Sequence, residues 1–565
     1  MARDRVFDSP AELVFGSWED IAPRYEELAT RPILDLGAWL KDWSELERFV
    51  GEAATLASIA YTADTADPEK ERVYLLWTGE IQPRLREQGD RLARRLLEAD
   101  EIPTGLETPV RRFRNQVELF RAENLPLQGE LSRLSAAYQK VTGGMTVEWD
   151  GGRLTLPQVA AKIGEADRPL RERAFRLSLQ PYVDQRGELA RLFDEMRALR
   201  AQTALNAGYA DYRAYAHQEK NRFDYTSDDS LRWDEAVEEA IVPAARRVLE
   251  RRRMRMGLET LRPWDLIADP LGRPQLRPFD RADELSMAAS RIFEAVDPAL
   301  GGYFRIMVAE RLLDLESRPA KAPGGYCAVL PHRRRSFIFM NAAGVDADVR
   351  TLVHEAGHAF HNFEKLAAQP LVWQQTVGSE LAEFASMSME LLAMPFLPAA
   401  EGGLYSEADA RRARASYLES VVLLFGHIAS VDAFQHWIYT SREGADADAR
   451  DEKWLELRAR FEPAVDWSGL ESYRKARWYA QQHIFQFPFY YIEYGLARLA
   501  ALQVWHSSLE DREGAVARYR AALAMGGSRP LPEVYAAAGA RLVFDPAGMR
   551  ELIQRVEAEL EATED

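Results

Sequence analysis

Cysteine is almost missing from this chain: Cys327 is the only one in 565 residues. No internal disulfide can form, so the fold must rest on its own core. No run approaches twenty consecutive apolar residues, so no membrane-spanning helix is expected, and the opening Met-Ala-Arg-Asp has no apolar leader segment. With the lone cysteine, these absences predict a cytoplasmic location. No Pro/Gly/Ser-rich linker or low-complexity tract divides the chain. Positive charge is in deficit, with 72 Lys and Arg against 89 Asp and Glu and a formal net charge of -17. Such a surface repels nucleic acid and anionic membranes, so neither is expected as a partner, and a neutral or cationic substrate fits better. The rest is ordinary: 47% hydrophobic and 28% charged residues, in a chain long enough to bury a large core.

Apolar residues recur at three- and four-residue spacing through most of the chain, as in Leu36 to Tyr61 and Pro68 to Glu98, which predicts successive amphipathic helices. Residues 10 to 140 read this way and carry no catalytic constellation. Met145 to Leu156 alternates around a Gly-Gly pair and predicts a hairpin. Helical pattern resumes to Ala207, over Tyr209 to Asn221, and over Val242 to Met256, whose basic end (Arg246, Arg247, Arg251 to Arg253) reads as a solvated face. Leu261 to Leu266 reads as structural, and Phe279 to Leu315 as helical. Gly324 to Asn341 then offers two short β-prone runs around the basic turn Arg333 to Arg335. The expected fold is mainly α: a two-lobed helical body with a deep central channel and a small β-sheet. Residues 1–200 form an N-terminal helical lobe in this reading, with its hairpin near 145–156, and 201–565 a second lobe.

With only nine histidines in the chain, a close pair stands out, and His354-Glu-Ala-Gly-His358 is one. On a helix the two imidazoles share a face and offer half of a tetrahedral zinc site, with Glu355 beside any water the metal holds. No glycine-supported third histidine follows closely, and the position about twenty residues on is Val377-Gly378, so neither of those common ligand spacings applies. The next carboxylates, Glu380, Glu383 and Glu390, lie on a second helical segment. Glu383 and Glu390 share a face, so that one could bind metal while the other orients a histidine. His427 and His436 sit in apolar sequence and read as core groups. In Trp478 to Gly495, hydroxyls cluster at Tyr490, Tyr491 and Tyr494 downstream of His483, a supply of neutral donors for the charge that grows on an attacked carbonyl oxygen. The Gly324-Gly325-Tyr326 stretch could present a strand edge to an extended peptide backbone.

These stretches resemble the M3 zinc oligopeptidases, in particular the oligoendopeptidase F and Pz-peptidase branch. The likeness rests on His-Glu-Ala-Gly-His-Ala-Phe-His (354 to 361), Glu383-Phe-Ala-Ser386, Pro488-Phe-Tyr-Tyr-Ile-Glu-Tyr-Gly495 and Gly324-Gly-Tyr-Cys327. Family-like text runs from about residue 200 to 565. The resemblance implies one zinc ion per chain, held by His354, His358 and Glu383, with Glu355 as general base. By the same token His483, Tyr491 and Tyr494 contact substrate and oxyanion, and Gly324, Gly325, Tyr326 and Tyr490 line the substrate. His483 stands about one residue closer to these tyrosines than in animal members, which leaves open whether Tyr490 or Tyr491 faces the substrate. The implied activity is a metalloendopeptidase acting on short, unfolded peptides. The alternatives are a dipeptidyl carboxypeptidase on the same scaffold and a non-catalytic peptide-binding protein.

Overall fold

A computed structural model describes residues 16–99, 101–462 and 464–564; the opening Met-Ala-Arg-Asp and residues 10–15 of the expected helical stretch lie outside them. Among the described residues the chain is mainly α, as the periodicity predicts. Its strands are β1 (Thr146–Trp149), β2 (Gly152–Thr155), β3 (Leu313–Glu316), β4 (Tyr326–Leu330) and β5 (Arg335–Ala342). The chain forms two compact units, each assembled from three stretches. The first takes the residues up to Glu118, Arg277–Ala410 and Ala500–Leu542; the second takes Leu119–Leu276, Arg411–Leu499 and the residues from Val543 on. The single boundary expected at 200/201 falls inside a helix, Arg186–Asn206.

In the first unit, helix Leu36–Ala63 starts where the Asp35 side chain accepts from the amide of Ala38. It buries Trp39 and Trp43, and Trp43 packs on Trp373 at 4.3 Å between ring centroids. The sheet runs β3-β5-β4: β4 lies antiparallel to β5 with Cys327 opposite Ile338, and β3 lies parallel to β5. The hairpin of β4 and β5 matches the sequence reading. β3 does not, because Leu313–Glu316 falls in the stretch expected to be helical; the helices there stop at Ala309, and a parallel partner on β5 draws the chain out. Helix Asp346–Ala368 covers this sheet and also packs against helix Ser379–Ala393. We call these two the histidine helix and the glutamate helix.

In the second unit, β1 and β2 pair as expected, through Asp150 and Gly151 at φ of 50° and 82°, the positive values of a tight hairpin turn. Leu261 to Leu266 is structural, as expected: buried Asp265 accepts from Arg168 and Arg171, beside buried Trp264. Two expectations are corrected here. The 34-residue helix Glu407–Thr440 is long and apolar enough to cross a membrane, but 67% of its apolar window is buried inside the protein, the pattern of a core helix. Glu419 and Asp432 interrupt its apolar part, which broke the run in the linear reading. The basic end of helix Val242–Arg255 is solvated only in part: Arg246 and Arg247 are exposed, Arg252 is buried, and three of its arginines are paired. Arg247 meets Glu557 at 2.6 Å, Arg251 meets Glu561 at 2.5 Å and Arg252 meets Glu419 at 2.8 Å, tying it to helices Pro546–Glu564 and Glu407–Thr440.

Candidate metal centre and aromatic segment

The histidine helix begins where Asp348 reaches back to accept the amides of Ala343 at 2.7 Å and Val345 at 3.0 Å, which satisfies two donors at the helix start. Leu352, Val353, Ala356, Ala359 and Phe360 are buried along it, so His354 and His358 emerge together on the face toward the glutamate helix. Gly357 makes the approach possible. A Cβ at that position would stand 2.6 Å from Ser386 Cα and 2.8 Å from the carbonyl oxygen of Ala385, closer than packed atoms allow. The glutamate helix is fixed from behind by two hydroxyls, Tyr519 donating to the Ala385 carbonyl at 2.7 Å and Tyr535 to the Glu380 carbonyl at 3.0 Å.

The result is a compact donor set. One ligand atom from each of His354, His358 and Glu383 lies within 4.8 Å of the others. His354 Nε2 is 3.4 Å and His358 Nε2 is 3.9 Å from Glu383 Oε2. A tetrahedral zinc with bonds of about 2.05 Å needs ligand atoms about 3.3 Å apart, so the set fits one such ion with little movement. Glu390 does not join the set but holds the other side of His354, with its Oε1 2.5 Å from Nδ1, the usual device for orienting a metal-binding imidazole. Glu380 stays outside the cluster. Of the three carboxylates open in the sequence, geometry thus gathers Glu383 with the histidines and Glu390 behind one of them.

Electrostatics agree with a cation at this spot. Burial works against charge on His354, but the carboxylates of Glu383 and Glu390 outweigh it and lift the imidazole to about 10. His358 is driven to about 4 by burial and by the charge on His354. Glu355 is buried, and that burial raises its carboxyl to about 7, with His354 and the backbone amide of Cys327 opposing the rise. A carboxyl poised near neutrality can take and return a proton.

β4 lies beside this centre. Gly324 has a φ of 96°, and a Cβ at Gly325 would lie 3.4 to 3.6 Å from Phe339, Thr351 and Met340. The Tyr326 side chain is engaged inside the unit: its hydroxyl is 2.6 Å from Thr62 Oγ1 and its ring stacks on Phe339 at 4.8 Å. What this stretch has to offer a ligand is therefore its backbone. Arg333, expected to be solvated, meets Glu52 at 2.9 Å.

The second unit gathers the other expected residues. His483 lies 5.4 Å from Tyr490, 5.1 Å from Tyr491 and 6.0 Å from Tyr494 between ring centroids. Tyr491 also meets His427 edge-on at 5.4 Å, and its hydroxyl donates to Gln481 Oε1 at 2.9 Å. Burial, opposed by Arg458, raises that phenol to about 12. Lys220 Nζ stands 5.3 Å over the Tyr490 ring. Gly495, directly after Tyr494, is required by Trp233, whose ring atoms come within 2.4 Å of where a Cβ would be. His436 is a core group, as expected, whereas His427 is only half-buried, with its Nδ1 2.6 Å from Arg458 Nη1. Sequence reasoning missed Gln481, and it missed the contacts of Gln435 and Arg222 with Phe489 described below. Each depends on a partner far along the chain or on loop geometry that no spacing reveals.

Comparison with known proteins finds the same fold. A solved structure of PZ peptidase A with an inhibitor superposes with a TM-score of 0.89 at 24% identity, covering 97% of both chains. A structure assigned as oligoendopeptidase F superposes with a TM-score of 0.88 at 27% identity, covering 96% of both chains. An oligoendopeptidase F homologue from Borreliella burgdorferi is 23% identical over 257 residues, 43% of this chain; the match spans only 41% of that relative. The model of peptidase family M3 matches residues 163–552, which hold the donor set, Glu355 and the aromatic segment alike. On that match the chain belongs to peptidase family M3.

Proposed function

We propose that this protein is a zinc-dependent endopeptidase that hydrolyses internal bonds of short, unfolded oligopeptides in the cytoplasm. The observation that carries the reading is the half-buried donor set of His354, His358 and Glu383, with the buried Glu355 carboxylate directly after the first histidine. These three residues would hold the ion, and Glu390 would keep His354 in the tautomer that presents Nε2. Held by these three protein groups, zinc would supply Lewis acidity for water and carbonyl alike. Glu355 takes the proton released on attack and delivers it to the departing amide nitrogen. The family pattern gives His483, Tyr491 and Tyr494 the part of neutral donors to the substrate, with Tyr490 and the Gly324 to Tyr326 backbone as further contacts. A backbone-reading site fixes register without selecting side chains, which suits mixed peptides.

The test uses a peptide amidated at its C-terminus. Cleavage at internal bonds, lost to a chelator and restored by zinc, is the expected result, and Glu383→Ala is expected to purify without metal. Release of dipeptides only from the unblocked peptide would replace this reading with a dipeptidyl carboxypeptidase. Activity indifferent to chelator would remove the metal from it.

A further inference from the structure

The turn that launches the tyrosines hinges on Phe489, whose φ of 60° lies in the left-handed region. A ring-bearing residue holds that conformation only when its surroundings insist on it. Here they do, from three sides. The Phe489 N–H donates to Gln435 Oε1 at 2.8 Å, and Gln435 is fully buried. The Phe489 carbonyl accepts from the buried guanidinium of Arg222. The ring is wedged among Tyr212, His436 and Tyr439. The same Arg222 nitrogen also reaches Glu493 Oε1 at 2.6 Å, and Lys220 approaches that oxygen at 3.4 Å. Glu493 stands between Tyr490 and Tyr494, so one guanidinium ties the turn to the start of the tyrosine-bearing helix. Tyr490 and Tyr491 follow Phe489 directly, and a change in its φ swings both.

We propose that Gln435 and Arg222 are positioning residues: by locking Phe489 in the left-handed conformation they set where the hydroxyls of Tyr490, Tyr491 and Tyr494 stand. The kinetic consequence rests on the reading of these tyrosines as substrate donors; the conformational one does not. A misplacement of about 1 Å in a catalytic group costs about 100-fold in rate. Loosening the lock therefore lowers kcat while leaving KM, metal content and fold in place.

The experiment compares Gln435→Leu, which deletes the acceptor, with Gln435→Glu, which keeps one, and uses Arg222→Lys as a second, independent lesion. Expected in Gln435→Leu are a kcat lowered about 10- to 100-fold at a KM within about twofold, and recovery in Gln435→Glu. Crossed with Tyr494→Phe, the losses should be non-additive, because both act on one group. A crystal structure of Gln435→Leu should show Phe489 at negative φ with the tyrosine hydroxyls displaced. Phe489 unchanged at positive φ in both lesions, or additive losses, would overturn the proposal. So would aggregation of both, which would make the two residues core supports only. Wild-type protein that cleaves no peptide would sink the peptidase reading, and the φ readout would still decide the lock.

Discussion

Gly357 shows how much one missing side chain can decide. The two helices that carry the metal donors touch at this residue, and a Cβ there would meet Ser386 and Ala385 backbone at 2.6 and 2.8 Å. Backbone cannot yield as a side-chain tip can, so Gly357→Ala must push the helices apart. We expect a cost of about 1 to 3 kcal/mol from overpacking and a loss of bound zinc, read by elemental analysis. Full metal content with an unchanged melting temperature would contradict it. Glu355 gives the complementary case, since it lies outside the donor set and is the base in the function proposed above. Glu355→Gln is expected to retain metal at one per chain and to lose turnover by about 100- to 10,000-fold, the usual share of a general base. Near-normal turnover would move the base elsewhere. Much of this centre was legible in the sequence, because an i, i+4 histidine pair with an adjacent glutamate is a local pattern. The shared face of Glu383 and Glu390 was legible for the same reason. Which of the two meets the histidines depends on how two helices cross, and that is settled by Gly357.

Among elements, most helices were legible because their apolar residues recur at three- and four-residue spacing, whereas β3 was not, because its partner β5 lies well beyond it in sequence. Long-range charge pairing was the least legible. Arg247 finds Glu557 and Arg251 finds Glu561 some 310 residues away, so a cluster of arginines that reads as solvated becomes helix-to-helix fastening. The helices of the second unit also enclose histidines that must stay neutral. Burial first, then Arg458, drives His427 well below its ordinary value, and burial with Arg222 drives His217 to about 4. The unfolded chain takes up these protons near pH 6.5 while the folded chain refuses them. Their contribution to stability is therefore complete above about pH 6.5 and is lost progressively as pH falls toward 4. The melting temperature should drop between about pH 7 and pH 5, and less steeply in His217→Gln. An equal slope in the variant would show that His217 takes no part.

For the molecule as a whole, the proposed function makes the sheet decide the kind of substrate. β4 is at one end of the order β3-β5-β4, so its outer rungs have no partner strand among the described residues. A ligand that adds there must be extended. A folded protein would first have to free a segment, at a cost of up to its whole stability of about 5 to 15 kcal/mol. Short peptides should therefore be cut, while a native globular protein at equal concentration stays intact and becomes a substrate once denatured. Fast cleavage of native surface loops would count against the strand-edge mode. The tyrosines behind the glutamate helix have one more consequence, in the order of synthesis. Tyr519 follows Ala385, whose carbonyl it holds, by 134 residues. At a ribosomal pace of about 5 to 20 residues per second, the glutamate helix emerges roughly 7 to 27 s before the hydroxyl that fixes it. The nascent chain thus carries both histidines and Glu383 without the brace that sets them, and the centre comes into register only late in translation.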